Sequence, residues 1–204
     1  YVNNDTTTML IDNTYKQQEI YFSFANVYEI LSGWSVSLSY DFKWNKLNSD
    51  IHNFVFPKRY SNFLSLATAF DSRFIKVQGS LLATFVKDHT QKQARKPSAR
   101  MVTPAVFVSF APWGGRTFSI RAFAKKSFRM PTFNELYYTD IGNATLSPET
   151  AIQYNLGVVY GKSTGPSWFG GVRIQADGYF NTVHDKIIAY PKGQQFRWTM
   201  LNLG

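Results

Sequence analysis

The sequence predicts an all-β chain: an antiparallel up-and-down meander that forms an arc of a transmembrane β-barrel. Three observations predict it. The stretch WSVSLSYDFKW (34–44) alternates without an error, with Trp34, Val36, Leu38, Tyr40, Phe42 and Trp44 on one side and Ser35, Ser37, Ser39, Asp41 and Lys43 on the other. Successive strand side chains point to opposite faces, so this strand has one apolar and one polar face. Connections between such stretches alternate between short and long, the layout of a barrel with tight turns at one end and long loops at the other. The alternating stretches are also long. Crossing a bilayer as a tilted strand takes ~9–11 residues, whereas ordinary strands run ~5–6.

The elements follow in order. Strands are read near 15–30, 34–45, 60–70, 73–88, 101–112, 116–128, 150–162 and 168–190, with the start of a ninth at 196–203. The first two are joined by LSG (31–33), the third and fourth by DSR (71–73), the fifth and sixth by PWGG (112–115), the seventh and eighth by GKSTGPS (161–167). Long connections cover 46–59, 89–100, 129–149 and 191–195 with its flanks. In the seventh strand Ile152, Tyr154, Leu156, Val158 and Tyr160 oppose Ala151, Gln153, Asn155, Gly157 and Val159; in the eighth Val172, Ile174, Ala176 and Phe180 oppose Arg173, Gln175, Asp177, Tyr179 and Asn181. Helical periodicity is confined to PTFNELYY (131–138), with Pro131 expected at the first position of a short turn. Tyr21, Phe22, Trp34, Trp44, Tyr60, Phe70, Trp113, Tyr160 and Trp168 gather near strand ends, where interfacial girdles place aromatics.

Composition narrows the classes. The 204 residues contain no cysteine, so neither disulfide nor thiolate chemistry is available. Lys plus Arg number 22 against 13 Asp plus Glu, a net charge of +9 that favours acidic partners. Charged and aromatic residues are each 17%, a balance unlike a nucleic-acid binder and suited to a surface against something apolar. No apolar run approaches the ~18 residues of a spanning helix. The start, YVNNDTTTML, lacks the layout of a signal peptide, and the end, WTMLNLG, falls inside a strand. Residues 1–204 are therefore expected to be part of a longer barrel domain. Eight strands and part of a ninth do not close a barrel, and an open edge has no partner in lipid.

The most specific stretch is KKSFRMPTFNELYYTDIGNATLSPETAIQYNLGVVYG (125–161). Phe128, Arg129, Pro131, Thr132, Phe133, Asn134, Glu135, Leu136 and Tyr137 lead it. Gly142 and Asn143 follow, then Leu146, Pro148 and Glu149, then Tyr154 and Gly157. This resembles the late barrel region of TonB-dependent outer-membrane receptors. Tyr179, Phe180, Asn181, Asp185, Ile187 and Ile188, and FRWTMLNLG at 196–204, extend the resemblance, which is sharp over about the last 80 residues; Ser147 and Met130 depart from the family pattern. Its nearest flavour is the cobalamin and siderophore receptors.

The resemblance implies a parent barrel of about 22 strands around a plug, the plug and its coupling segment lying outside this stretch. It implies import of a scarce bulky ligand (cobalamin, an iron siderophore or haem) across a Gram-negative outer membrane, powered by the TonB energy-coupling complex. Lipid and lipopolysaccharide are the implied surroundings, and no cofactor is called for. Trp34 to Trp44 would face lipid, while Ser35 to Lys43, Arg121, Arg173, Gln175 and Asp177 would face the lumen. Within FRMPTFNELYY, the bland reading is a structural corner in which Pro131 fixes the chain and Phe133 and Leu136 pack the loop onto the rim. The functional reading is that Arg129, Asn134, Tyr137 and Tyr138 touch ligand.

The cations cluster: Lys87, Lys92, Arg95, Lys96 and Arg100 near one outer loop, then Arg116, Arg121, Lys125, Lys126 and Arg129 with no acid among them. Solvated loops and lipopolysaccharide phosphates account for them, or attraction of an anionic ligand; no recognised nucleic-acid module appears. GVVYGKS (157–163) imitates a phosphate loop, but its glycines are one residue too close and Gly165-Pro166 follows in place of a helix. His52, His89 and His184 lack metal-ligand spacing and a nucleophile pattern, so neither a metal site nor a Ser/His/Asp hydrolase is expected. Asn4-Asp5-Thr6 and Asn143-Ala144-Thr145 match the glycosylation sequon, a pattern frequent by chance. The alternatives are a soluble secreted β domain binding carbohydrate or protein, a small passive porin-like barrel, and, last, an enzyme barrel.

Overall fold

The computed structural model describes residues 13–91, 98–113, 117–138, 141–163, 170–192 and 197–204. Lys92, Arg95, Lys96, Arg116, Gly165, Pro166, Trp168, Phe196 and the sequon at Asn4 lie outside these residues.

The strands are β1 (Tyr15–Leu31), β2 (Trp34–Ser49), β3 (Lys58–Asp71), β4 (Ile75–His89), β5 (Ser98–Phe110), β6 (Phe118–Arg129), β7 (Glu149–Lys162) and β8 (Val172–His184). They form one eight-stranded sheet in chain order, every neighbour antiparallel. This is the up-and-down meander expected from alternation and loop spacing, left open at β1 and β8. A short helix α1 (Phe133–Tyr137) interrupts the connection from β6 to β7.

The eighth expected strand is corrected by a break. Asp185 takes a left-handed conformation (φ 54), which ends β8 at His184. A carboxamide or short carboxylate side chain tolerates that region better than most. Beyond it β9 (Lys186–Lys192) pairs with β10 (Arg197–Leu203) in a separate two-stranded ribbon. Pro131 is corrected as well: it precedes the helix cap instead of opening the helix.

Register places one residue set on each face. Trp44 opposes Tyr60, Tyr60 opposes Lys87, and Leu38 opposes Leu66, Leu66 opposes Leu81 and Leu81 opposes Pro104. These share what we call the outer face. Leu66 and Leu81 are half exposed (50% and 51%), so no packed core lies over this apolar surface. Two polar pairs on it satisfy each other: Trp34 Nε1 donates to Thr68 Oγ1 at 2.9 Å and the Tyr40 hydroxyl to Asn62 Oδ1 at 2.7 Å. The inner face is polar. Tyr21 belongs to it, opposite Lys43, and donates to Asp41 Oδ1 at 3.0 Å, so it leaves the expected aromatic girdle. Arg121, opposite Gly157, which opposes Asp177, is inner as expected.

The tight turn at Ser32-Gly33 needs glycine. Gly33 has φ 81, and a Cβ there would strike the Asp71 carbonyl oxygen. The packed core is small and sits at the long-loop rim. Leu47, Phe54 and Phe133 are buried together, with Tyr15, Ile51, Phe56 and Tyr137 around them.

Candidate ligand-facing site at the outer rim

The β6–β7 connection folds back over the inner face. Tyr138 stacks on Tyr15 of β1 (ring centroids 4.7 Å, interplanar 19°), and Phe133 packs with Leu47 of β2. A segment leaving β6 reaches β1 on that side because the sheet curls around it.

Local chemistry starts the helix at Thr132. The Glu135 backbone N–H donates to Thr132 Oγ1 at 3.2 Å, and the Thr132 N–H donates to Glu135 Oε2 at 2.7 Å. This reciprocal capping box contributes about 1 kcal/mol. Phe133 and Leu136 are the buried face, as the structural-corner reading expects. Glu135 also receives Arg129: Nη1 donates to Oε1 and Oε2 at 3.0 Å each. Arg129 Nη2 donates to Glu149 Oε2 at 3.2 Å, and the same oxygen accepts from the Ile187 N–H at 3.2 Å. That backbone donor, with Arg129 adding to it, holds the Glu149 carboxyl below its ordinary 4.5.

Beneath the helix, Arg59 fixes the cap to the wall. Its Nε and Nη2 donate to Asp88 Oδ1 and Oδ2 at 2.7 Å each, Nη1 donates to the Pro131 carbonyl at 2.6 Å, and its guanidinium lies 5.0 Å from the Phe133 ring centroid. The Asp88 side chain is wholly buried. No spacing rule pointed to this pair. A signal was nonetheless present: counting out equally along both strands from a four-residue turn at 72–75 brings Arg59 opposite Asp88, both at inward positions.

After the helix, the Gly142 N–H donates to the Tyr138 carbonyl at 2.8 Å and the Asn143 N–H to the Glu135 carbonyl at 2.7 Å. A Cβ on Gly142 would lie 2.7 Å from both Tyr138 N and O. Asn143 Oδ1 accepts from the Thr145 N–H (2.9 Å) while its Nδ2 donates to the Met200 carbonyl (2.9 Å). Asn202 of β10 accepts from the Ser147 N–H (2.8 Å) and donates to the Ser147 (3.1 Å) and Asp185 (2.7 Å) carbonyls. Side-chain amides thus tie this loop to the last strand. Leu146 is buried, and Pro148 leads into Glu149 at the start of β7.

Under the cap lies an inner-face pocket of about 700 Å³. Arg129, Asn134, Lys125, Lys43, Arg59 and Phe128 are among its lining residues. Lys43 is committed to Glu19 at 2.8 Å. Of the four residues expected at ligand, Arg129 and Asn134 line this pocket. Tyr137 turns inward: its hydroxyl is buried without a hydrogen-bond partner among the described residues, and burial first, then the Asp88 carboxylate, pushes the phenol up to about 12. Tyr138 is occupied by its stack on Tyr15.

The family model described as TonB dependent receptor-like, beta-barrel, matches residues 1–204. The chain belongs to that family. Over 76 residues it is 34% identical to the Vitamin B12 transporter BtuB of Vibrio vulnificus (strain YJ016), a match covering 37% of this chain and 11% of that protein. The fold matches Copper transporter OprC with a TM-score of 0.76 at 14% identity, covering 98% of this chain and 34% of that one. The FrpB iron transporter from Neisseria meningitidis (F3-3 variant) matches at 0.64 with 12% identity, covering 93% and 31%. The Serratia marcescens hemophore receptor HasR, solved with its hemophore HasA and heme, matches at 0.63 with 13% identity, covering 93% and 37%. The chain thus spans about a third of the length of these receptors.

TonB-dependent receptors are β-barrels of the Gram-negative outer membrane, transporters and receptors for cobalamin-, iron-, haem- and copper-type ligands. Their barrel accounts for the exposed outer face. In such barrels the apolar outer face meets lipid and the polar inner face lines the lumen.

Proposed function

We propose that residues 1–204 form part of the barrel domain of an outer-membrane receptor that imports a scarce bulky ligand with TonB-coupled energy. A plug domain and further strands complete it, and the plug carries the contact with the TonB complex. The inner pocket under the α1 cap is the segment's share of the ligand path. Arg129 and Asn134 contact ligand from its wall, and Tyr137 and Tyr138 join them when the cap lifts.

Cobalamin is the favoured ligand. The observation that supports it is the 34% identity to a Vitamin B12 transporter. The cationic lining, with Lys125 and Arg129 beside Asn134, suits a ligand that carries phosphate or other anionic oxygens. An iron siderophore or haem is the second reading, since iron and haem receptors share the fold.

The test is uptake of radiolabelled cobalamin by cells with the parent gene disrupted, with and without a proton-gradient uncoupler. Loss of an uncoupler-sensitive uptake is the expected result. Unchanged cobalamin uptake together with lost haem or siderophore uptake moves the ligand to the second reading. Uptake of all three independent of the gene overturns the receptor proposal for this chain.

A further inference from the structure

The wall parts at one place. The β5–β6 ladder consists of six pairs, from Phe110↔Ile120 to Ala105↔Lys125, whereas β6 pairs with β7 over its whole length, to Arg129↔Glu149. β5 likewise stays on β4 out to Ser98↔Lys87. Above Ala105 and Lys125 both strands keep their other neighbours and have left each other. Pro104 stands at the first step beyond, paired to Leu81 of β4. It has no N–H to give a ladder, so the two strands separate most readily there.

The cap draws β6 away. Arg59, held to Asp88 of β4, takes the Pro131 carbonyl, and Pro131 follows the end of β6 by two residues. Two residues span about 7 Å at most, while β6 and β4 are two strand spacings apart, roughly 9–10 Å. The tether therefore pulls the top of β6 inward past β5. Lys126 and Phe128 show the displacement. Register puts both at outward positions, opposite Ile152 and Thr150, yet both line the inner pocket beside Thr103.

The closed cap carries a second deficit. The Tyr137 hydroxyl is buried with no hydrogen-bond partner among the described residues. An unsatisfied buried hydroxyl works against the state that contains it. An orphan hydroxyl and an unmade stretch of ladder thus oppose the tether and the packing of Phe133 on Leu47.

We propose that the top of β6 exchanges between two partners, the α1 cap and β5. With the cap down, β6 belongs to α1 and the upper wall is parted. With the cap up, the register set by Ala105↔Lys125 continues. Thr103 then meets Ser127 and Met101 meets Arg129 on the inner face, while Phe128 turns outward beside Val102, which is 55% exposed. The Tyr137 hydroxyl is released in the same step. The wall closes as the mouth opens, so ligand reaches the pocket from outside and not through the side. The inference rests on the reading of α1 as a cap over the ligand path.

The test is disulfide trapping in the full-length receptor in outer membranes, with no ligand added. Thr103→Cys/Ser127→Cys is the reporting pair. Ala105→Cys/Lys125→Cys, at the last pair of the ladder, is the reference. Oxidation rates are read by mass spectrometry of the linked peptides. In the otherwise native receptor the reporting pair is expected to link about tenfold more slowly than the reference. Releasing the tether with Arg59→Met/Asp88→Leu is expected to speed the reporting pair about tenfold or more and to leave the reference unchanged. Phe133→Ala loosens the cap by another route and should act in the same direction, so a double variant that forms no heat-modifiable barrel leaves the test standing. Tyr137→Phe, which removes the orphan hydroxyl and keeps the tether, is expected to slow the reporting pair about fivefold. Equal rates for the two pairs in the native receptor overturn the parted wall. No gain on loosening the cap overturns the exchange, as does a gain shared by the reference, which would mark general loosening. An unchanged rate in Tyr137→Phe removes the hydroxyl from the switch. Because no ligand enters the measurement, failure here leaves the receptor reading standing, and gene-independent uptake overturns the receptor reading alone.

Discussion

Arg59 and Asp88 meet through two 2.7 Å contacts across the β3–β4 hairpin, and the carboxylate is completely removed from solvent. The same guanidinium holds the Pro131 carbonyl and faces Phe133. One side chain therefore joins the wall to the cap that covers the pocket.

Breaking this pair strands a buried charge. Asp88→Ala is expected to destabilise the rim by about 3–5 kcal/mol, while Arg59→Met with Asp88→Leu recovers much of the loss. A double-mutant cycle on the full-length receptor, read by protease cleavage in the 130–148 loop, checks both. Equal cleavage in Asp88→Ala and wild type would sink the clamp role.

Gly142 is required by closeness, not by a left-handed backbone. Its Cβ would press on Tyr138 backbone atoms and on the Leu136 carbonyl carbon at 2.9 Å. Backbone yields less readily than the end of a side chain, so Gly142→Ala is expected to cost about 1–3 kcal/mol. Amide exchange at Gly142 and Asn143, whose N–H groups bond back to Tyr138 and Glu135, should rise. Unchanged protection there would refute the crowding argument.

The rim should loosen in acid. The Glu149 carboxyl is held below 4.5, chiefly by the Ile187 N–H and then by Arg129. A depressed carboxyl favours the closed rim most fully above its free value and loses that contribution as pH falls through the depressed one. Exchange at the Ile187 amide is therefore expected to accelerate as pH drops below 4.5, beyond the intrinsic pH trend. Glu149→Gln should remove that extra acceleration. An identical pH profile in the variant would exclude Glu149 as the cause.

Much of the fold is legible in the chain because strand alternation is a local property. WSVSLSYDFKW declares its two faces without reference to any neighbour, and the eight strand positions and their turn sequence follow from the same rule. The capping box is equally local, since Thr132 and Glu135 are three residues apart. The strand break at Asp185 was not legible. One left-handed residue inside an apolar run changes no periodicity before it and little after it.

The sequence by itself determined the meander, the polar and apolar faces, and the family, because these rest on period-two patterning and on a contiguous motif. Only the tertiary structure decided which cations meet a carboxylate among the described residues. Arg121 meets Asp177 at 2.8 Å from 56 positions away, and Arg129 is shared by Glu135 and Glu149, whereas Arg100 and Lys126 stand at outward positions with no acid partner among the described residues. In the chain these residues fall in two successive basic groups that carry no sign of the difference. Pairing between strands separates them, because register assigns each to a face and curvature brings distant carboxylates to the inner one alone.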